Sequence, residues 1–174
     1  MKISTFMKFA ALSAALLVGA CTTKEQVAAT PPPPAPPPPV SAPAPRPPGI
    51  TPGSVQDFKV NVGDTVHFAY NEYNVQDTDK STLQKQASWL NKYPSVQITI
   101  EGHCDERGTR EYNLALGARR ANAVKEFLVS LGVSNSRLQT VSYGKERPIC
   151  TESNEDCWAQ NRRGVSLITG GATS

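Results

Sequence analysis

The chain has 174 residues, 39% of them hydrophobic and 19% charged, with four cysteines, fifteen prolines and a formal net charge of +3. Lys2 and Lys8 sit around the start of an apolar N-terminal run, and once they leave with a cleaved leader the 18 basic residues become 16 against 15 acidic ones. The apparent basicity is then a targeting feature, and the charge balance gives no reason to assign a nucleic-acid partner.

Residues 9–18 form the apolar run, the size of a secretory signal's hydrophobic segment and well short of the ~20 residues a membrane-spanning helix needs. It ends in Val18-Gly19-Ala20-Cys21, small residues before a cysteine. This resembles the bacterial lipobox, in which the thiol is acylated and the chain is cut just before it. Residues 1–20 are therefore expected to be a lipoprotein signal peptide and Cys21 the lipidated (palmitate-type) anchor, rather than an ordinary secretory signal with a bystander cysteine. Several acyl chains anchor stably where one is marginal. Thr22 follows the cysteine where inner-membrane retention is associated with aspartate, so the sorting pattern favours the outer membrane, with the chain facing the periplasm.

Residues 30–53 hold thirteen of the fifteen prolines, including two runs of four. Such a segment cannot pack a core and favours extended polyproline II; at ~3.1 Å per residue, about twenty residues reach on the order of 60–70 Å. Residues 21–54 thus read as an anchor and spacer, with recognition by a proline-binding module as the less economical alternative.

Residues 55–174 are the size of one domain. Residues 65–70 (Thr-Val-His-Phe-Ala-Tyr) predict a first strand, and 78–93 a helix with Asp77 and Thr78 as capping candidates and Pro94 as its stop. Residues 96–100 alternate as a second strand, followed by a polar loop over 101–110. A long helix over 110–131 follows, with Leu114, Ala118, Ala121, Val124, Leu128 and Leu131 as its apolar stripe and Gly132 at its end. A third strand is expected over 138–143, a short helix capped by Asn154 through Gln160, and a fourth strand over 165–169. The fold class this predicts is α/β (α+β): a two-layer sandwich built on βαβ units, with a mixed four-stranded sheet and helices on one face.

With Cys21 assigned to lipid, three thiols remain. Cys150 and Cys157 flank a short polar stretch and are the expected disulfide in an oxidising compartment, which leaves Cys104 over. A zinc pair at that spacing lacks nearby histidines.

Polar residues gather where the second strand meets the long helix, in Glu101-Gly-His-Cys-Asp105-Glu-Arg-Gly108. Asn113, Leu116 and Arg120 follow on one helical strip. Arg120 can grip a carboxylate with parallel hydrogen bonds and Asp105 can pair with an ammonium, an arrangement suited to a zwitterion. On spacing alone, a structural ion pair between Asp105 and Arg120 is the simpler alternative.

The run from Gly102 through Arg120, with Ser142-Tyr-Gly-Lys-Glu-Arg-Pro148, Asn161-Arg-Arg163 and Val66-His-Phe-Ala-Tyr70-Asn71-Glu-Tyr73, resembles the OmpA C-terminal-like peptidoglycan-binding domain family. The resemblance implies non-covalent binding of the meso-diaminopimelate in cell-wall stem peptides. It implies that Asp105, Arg120, Asn113, Leu116, Tyr70, Asn71 and Arg162 contact the ligand. Together with the lipobox and the proline spacer, the whole chain resembles the wall-associated lipoproteins of this family, which implies TolB and TolA as partners, a tether between outer membrane and wall, and support for envelope integrity and outer-membrane constriction in cell division. Three departures stand out. Cys104 replaces the usual threonine, Tyr70-Asn71 replaces a more usual Phe-Asp pair, and the Cys150–Cys157 pair is absent from many relatives.

An enzyme would draw on Glu101, Asp105 and Glu106 as carboxylates, or on Cys104 with His103. Adjacent side chains rarely converge, and glycosidases hold their carboxylates across a cleft. No serine elbow, zinc helix or phosphate loop occurs in the sequence. His67 and His103 read as strand and loop residues rather than a metal pair. The expectation is a binding module without catalysis, metal or cofactor.

Overall fold

A computed structural model describes residues 49–173. The expected signal peptide, Cys21 and most of the proline-rich segment lie outside the described residues.

The domain opens with α1 (Val55–Asp57), continued by a π-helical turn over Phe58–Val62. Then come β1 (Thr65–His67), α2 (Asp77–Lys92), β2 (Gln97–His103), α3 (Arg110–Ser130), a 3-10 turn over Asn135–Arg137, β3 (Leu138–Gly144), α4 (Glu155–Asn161) and β4 (Arg163–Gly170). The strands form one mixed sheet in the order β1-β4-β2-β3. β2 and β3 are parallel neighbours joined through α3, while β4 runs antiparallel between β1 and β2. This is the expected two-layer fold around a βαβ unit.

Alternation along β2 buries Ile98 and Ile100 beneath Leu83 and Leu90 of α2 and Val124 and Leu128 of α3. Leu138, Val66 and Phe68 complete the core, so α2 and α3 lie on the same face of the sheet. Thr109 caps α3, accepting from Tyr112 N at 3.2 Å. At its other end Gly132 takes φ 89° while Val133 N donates to Leu128 O.

One contact sets the height of α3 over the sheet. A Cβ on Gly102 would lie 1.8 Å from the Gly117 carbonyl oxygen, and one on Gly117 would lie 2.3 Å from Ser142 Oγ. β2 and α3 therefore touch backbone to backbone at the end of the sheet that carries the polar cluster.

Several boundaries differ from the sequence reading. β1 stops at His67; beyond it Phe68 N donates to Arg162 O, and the chain then turns through Asn71 at φ 60°. β2 continues through His103, because β3 and β4 both pair with it, so Glu101 and His103 are strand residues rather than loop. α2 begins after Gln76 with no side-chain cap, and Asp77 and Asp79 in its first turn favour the helix dipole instead. The turns over residues 55–62 were not legible in the sequence.

Cys150 and Cys157 are joined as a disulfide, which removes the zinc alternative, and Cys104 is free and buried. Asn161 braces the same segment: its Nδ2 donates to Cys150 O, and its Oδ1 accepts from Ile149 N and Cys150 N. No helix among the described residues is long and apolar enough to cross a membrane.

Candidate functional site

The end of β2, the N-terminal half of α3 and the turn after β1 enclose a cleft of about 160 Å³. Tyr70, Asn71, Cys104, Asp105, Asn113, Leu116 and Arg120 all line it, together with Arg107, Gly108 and Tyr112. Six of the seven binding residues expected from sequence are thus brought together. Arg162, the seventh, reaches the same point from the end of α4 by way of Asp105.

Arg120 is fully buried (0% exposed). Its Nε donates to Glu72 O at 2.8 Å, Nη1 to His103 O at 2.8 Å and Nη2 to Ala69 O at 3.1 Å. These bonds tie α3 to the β1 turn and to the last residue of β2. No carboxylate lies within 4.0 Å of the guanidinium among the described residues. Burial therefore pulls its pKa down, against a partial lift from Cys104 and Asp105. A guanidinium carries five N–H donors, so Nη1 and Nη2 each keep one beside the Cys104 thiol and the cleft.

Asp105 is also buried, but its partners are different. Oδ1 accepts from Arg107 N at 3.1 Å and Arg107 Nε at 3.2 Å; Oδ2 accepts from Arg107 Nη2 at 2.6 Å and Arg162 Nη1 at 3.3 Å. Burial alone would push the carboxyl up; the Arg107 hydrogen bonds outweigh it and hold the pKa below the ordinary value. The structural ion pair between Asp105 and Arg120 is not formed.

Arg107 was not singled out in the sequence, although it lies two residues from Asp105. Its guanidinium is sandwiched between the rings of Tyr70 and Trp158, at 4.1 and 4.0 Å from their centroids. Trp158 is fixed in turn by an indole hydrogen bond to Glu106 Oε1 at 2.9 Å. Arg162 donates from Nε to Phe68 O and from Nη2 to Glu155 Oε1 at 2.6 Å. Arg107 and Arg162 thus share two carboxylates, Asp105 and Glu155, while the Arg120 guanidinium beside them has none.

The remaining lining residues divide between scaffold and rim. Asn113 spends both amide protons on loop carbonyls, donating to Arg107 O at 2.8 Å and Thr109 O at 3.0 Å, so its Oδ1 alone is left for a ligand. Leu116 is a buried apolar wall, and Cys104 donates its thiol to Asn113 O, burial raising its pKa. Tyr70 and Asn71 are exposed at the mouth, where the Tyr112 hydroxyl donates to Asn71 Oδ1.

The residues weighed for catalysis do not converge. His103 pairs through Nε2 with Glu101 Oε2 at 3.2 Å and stacks on Tyr143, whereas the adjacent Cys104 bonds Asn113 O. Glu106 is exposed and engaged by Trp158, and His67 is exposed on β1.

Residues 67–162 match the OmpA family. The chain is 56% identical over 120 residues to the peptidoglycan-associated lipoprotein of Mesorhizobium japonicum, covering 69% of this chain and 71% of that protein. It is 41% identical over 164 residues to the protein of the same name from Pseudomonas aeruginosa, covering 94% and 97%. Among solved structures, the peptidoglycan-associated lipoprotein of Burkholderia pseudomallei aligns with a TM-score of 0.60 at 44% identity, covering 61% of this chain and 90% of that one. The chain belongs to the OmpA family and, within it, to the peptidoglycan-associated lipoproteins.

Proposed function

We propose that this protein is an outer-membrane lipoprotein, anchored through Cys21, that grips peptidoglycan non-covalently by the meso-diaminopimelate of its stem peptides. The observation that carries this reading is the fully buried Arg120 guanidinium, which lines the cleft with N–H donors to spare and has no carboxylate of the described residues within 4.0 Å. A buried cation without an anion is costly, and a ligand carboxylate relieves that cost with charge-assisted hydrogen bonds. Asp105 receives the ligand's ammonium, Leu116 packs its methylene chain, Asn113 Oδ1 and Arg162 complete the polar contacts, and Tyr70 and Asn71 form the entrance. Nothing is bonded or cleaved in this account, so the protein acts as a binder and not as an enzyme, without metal or cofactor.

The names of its relatives support the wall association, and the match along nearly the whole Pseudomonas protein supports the same layout of lipid anchor, spacer and folded domain. In the Tol–Pal system such a tether would exchange between the wall and the partners TolB and TolA during outer-membrane constriction. Binding to purified sacculi tests the reading. The wild-type protein should sediment with diaminopimelate-type sacculi, release no soluble muropeptides and be displaced by a diaminopimelate-containing tripeptide. Equal retention on lysine-type walls would overturn the assignment. Competition between TolB and that tripeptide for the purified protein tests whether the partner uses the same cleft; simultaneous saturable binding would count against overlap.

A further inference from the structure

The carboxylate assigned to the ligand's ammonium is already fully engaged. A carboxylate offers about four lone-pair directions. On Asp105 three are taken by Arg107 (its main-chain N–H, Nε and Nη2) and one by Arg162 Nη1. The two arginines are not equally committed. Arg162 is buried and also bonded to Phe68 O and, at 2.6 Å, to Glu155 Oε1, whereas the Arg107 side chain keeps 28% of its surface exposed at the mouth of the cleft and lies 3.8 Å from Glu155 Oε2. Arg107 is held there by the faces of Tyr70 and Trp158 rather than by further buried partners.

We propose that Arg107 is a specificity-determining residue that acts as an internal competitor: its guanidinium occupies the cation position on Asp105, and a ligand's ammonium enters by displacing it. This rests on the reading of Asp105 and Arg120 given above. A ligand with a carboxylate for Arg120 but no ammonium leaves Arg107 in place, whereas a zwitterion must exchange with it. The closed arrangement thus lowers apparent affinity for the zwitterion alone, by the fraction of molecules in which Arg107 is away. The aromatic sandwich is the latch. Trp158 is its fixed half, because the indole is hydrogen-bonded to Glu106 and the preceding residue, Cys157, is bonded to Cys150.

Two ligands on the full chain test this by calorimetry: a diaminopimelate-containing tripeptide, and the same tripeptide acetylated on the free diaminopimelate amine. Arg107→Ala and Arg107→Gln should bind the unmodified tripeptide roughly tenfold more tightly than wild type, with the acetylated tripeptide changed less than about twofold. Trp158→Ala should move the same way by a smaller factor, and Trp158→Phe, which keeps a ring, should restore wild-type behaviour. A merely structural role would weaken both ligands together. Failure of wild type to bind the unmodified tripeptide would sink the functional reading itself. Normal wild-type binding with unchanged or weaker binding by both Arg107 variants would overturn only the competitor role.

Discussion

Asp105 and Arg120 line one cleft without being bonded to each other: Asp105 is held by Arg107 and Arg162, and Arg120 by three main-chain carbonyls. The energetic coupling should follow those bonds. In double-mutant cycles read by urea unfolding, Asp105→Asn with Arg162→Lys should show a coupling of about 1 kcal/mol or more, while Asp105→Asn with Arg120→Lys should stay near ~0.5 kcal/mol or below. The reverse order would restore the structural ion pair. In binding, each single variant should still lose diaminopimelate affinity if, as proposed, the ligand bridges the two groups that the protein keeps apart.

Arg120 also carries the fold. Its donors reach Ala69, Glu72 and His103, so Arg120→Ala strands three carbonyls around a cavity left by the largest of the fully buried side chains. A loss on the order of 3 kcal/mol is expected from unpaired buried acceptors together with the void. Arg120→Ala is consequently a poor probe of binding, and Asp105→Asn, which preserves shape, is the cleaner one. A denaturation midpoint for Arg120→Ala equal to that of wild type would contradict this assignment.

His103 makes stability depend on pH in a definable window. Burial first, then the charges of Arg163 and Arg147, pull its pKa from the ordinary 6.5 to about 4, and its Nδ1 is buried without a partner. Between these values the unfolded chain takes up a proton that the folded chain refuses, so stability is present above pH 6.5 and is lost as pH falls toward 4. At 1.36 kcal/mol per unit the loss approaches roughly 3 kcal/mol. Depressed carboxyls such as Asp105 and Asp57 contribute stability above their ordinary value of 3.8 and lose it as pH falls through their lower folded values, below the His103 window. Urea midpoints at pH 7 and pH 4.5 should therefore diverge in wild type and converge in His103→Gln.

How much of this could be read beforehand depended on whether the signal was local. The apolar alternation of β2, the Gly132 stop of α3 and the Asn154 cap of α4 are short-range patterns, and these elements fall within a few residues of expectation. The cleft lining was legible through the motif that spans Gly102 to Arg120. The depth of Arg120 was not: helical spacing put it on a strip beside the apolar stripe, and only the backbone contact between Gly102 and Gly117 turns that strip inward. Arg107 escaped notice because the partners that define its role, Tyr70 and Trp158, come from elements far apart in the chain. β1 ended early for a similar reason, since a β-rich composition does not report where its neighbour stops pairing.

The contact between Gly102 and Gly117 supplies a direct test of that explanation. Gly102→Ala places a methyl group inside the van der Waals radius of a helix carbonyl, with rigid backbone on both sides, so α3 must lift from β2. A destabilisation of about 2 kcal/mol or more is expected, with diaminopimelate binding lost well before global unfolding, because Arg120 and Leu116 ride on the displaced turn.

The disulfide should act locally. α4 has seven residues, too few to persist alone, and its buried residues, Cys157 and Asn161, both attach to the segment around Cys150. A bridge closing so short a loop contributes about 2 kcal/mol in the chain-entropy picture. Replacing both Cys150 and Cys157 by Ser should accelerate amide hydrogen exchange in Trp158 through Asn161 while leaving the centre of α3 protected. That pattern separates a staple on α4 from a bond that holds the whole domain, in which case protection in α3 would fall by the same factor.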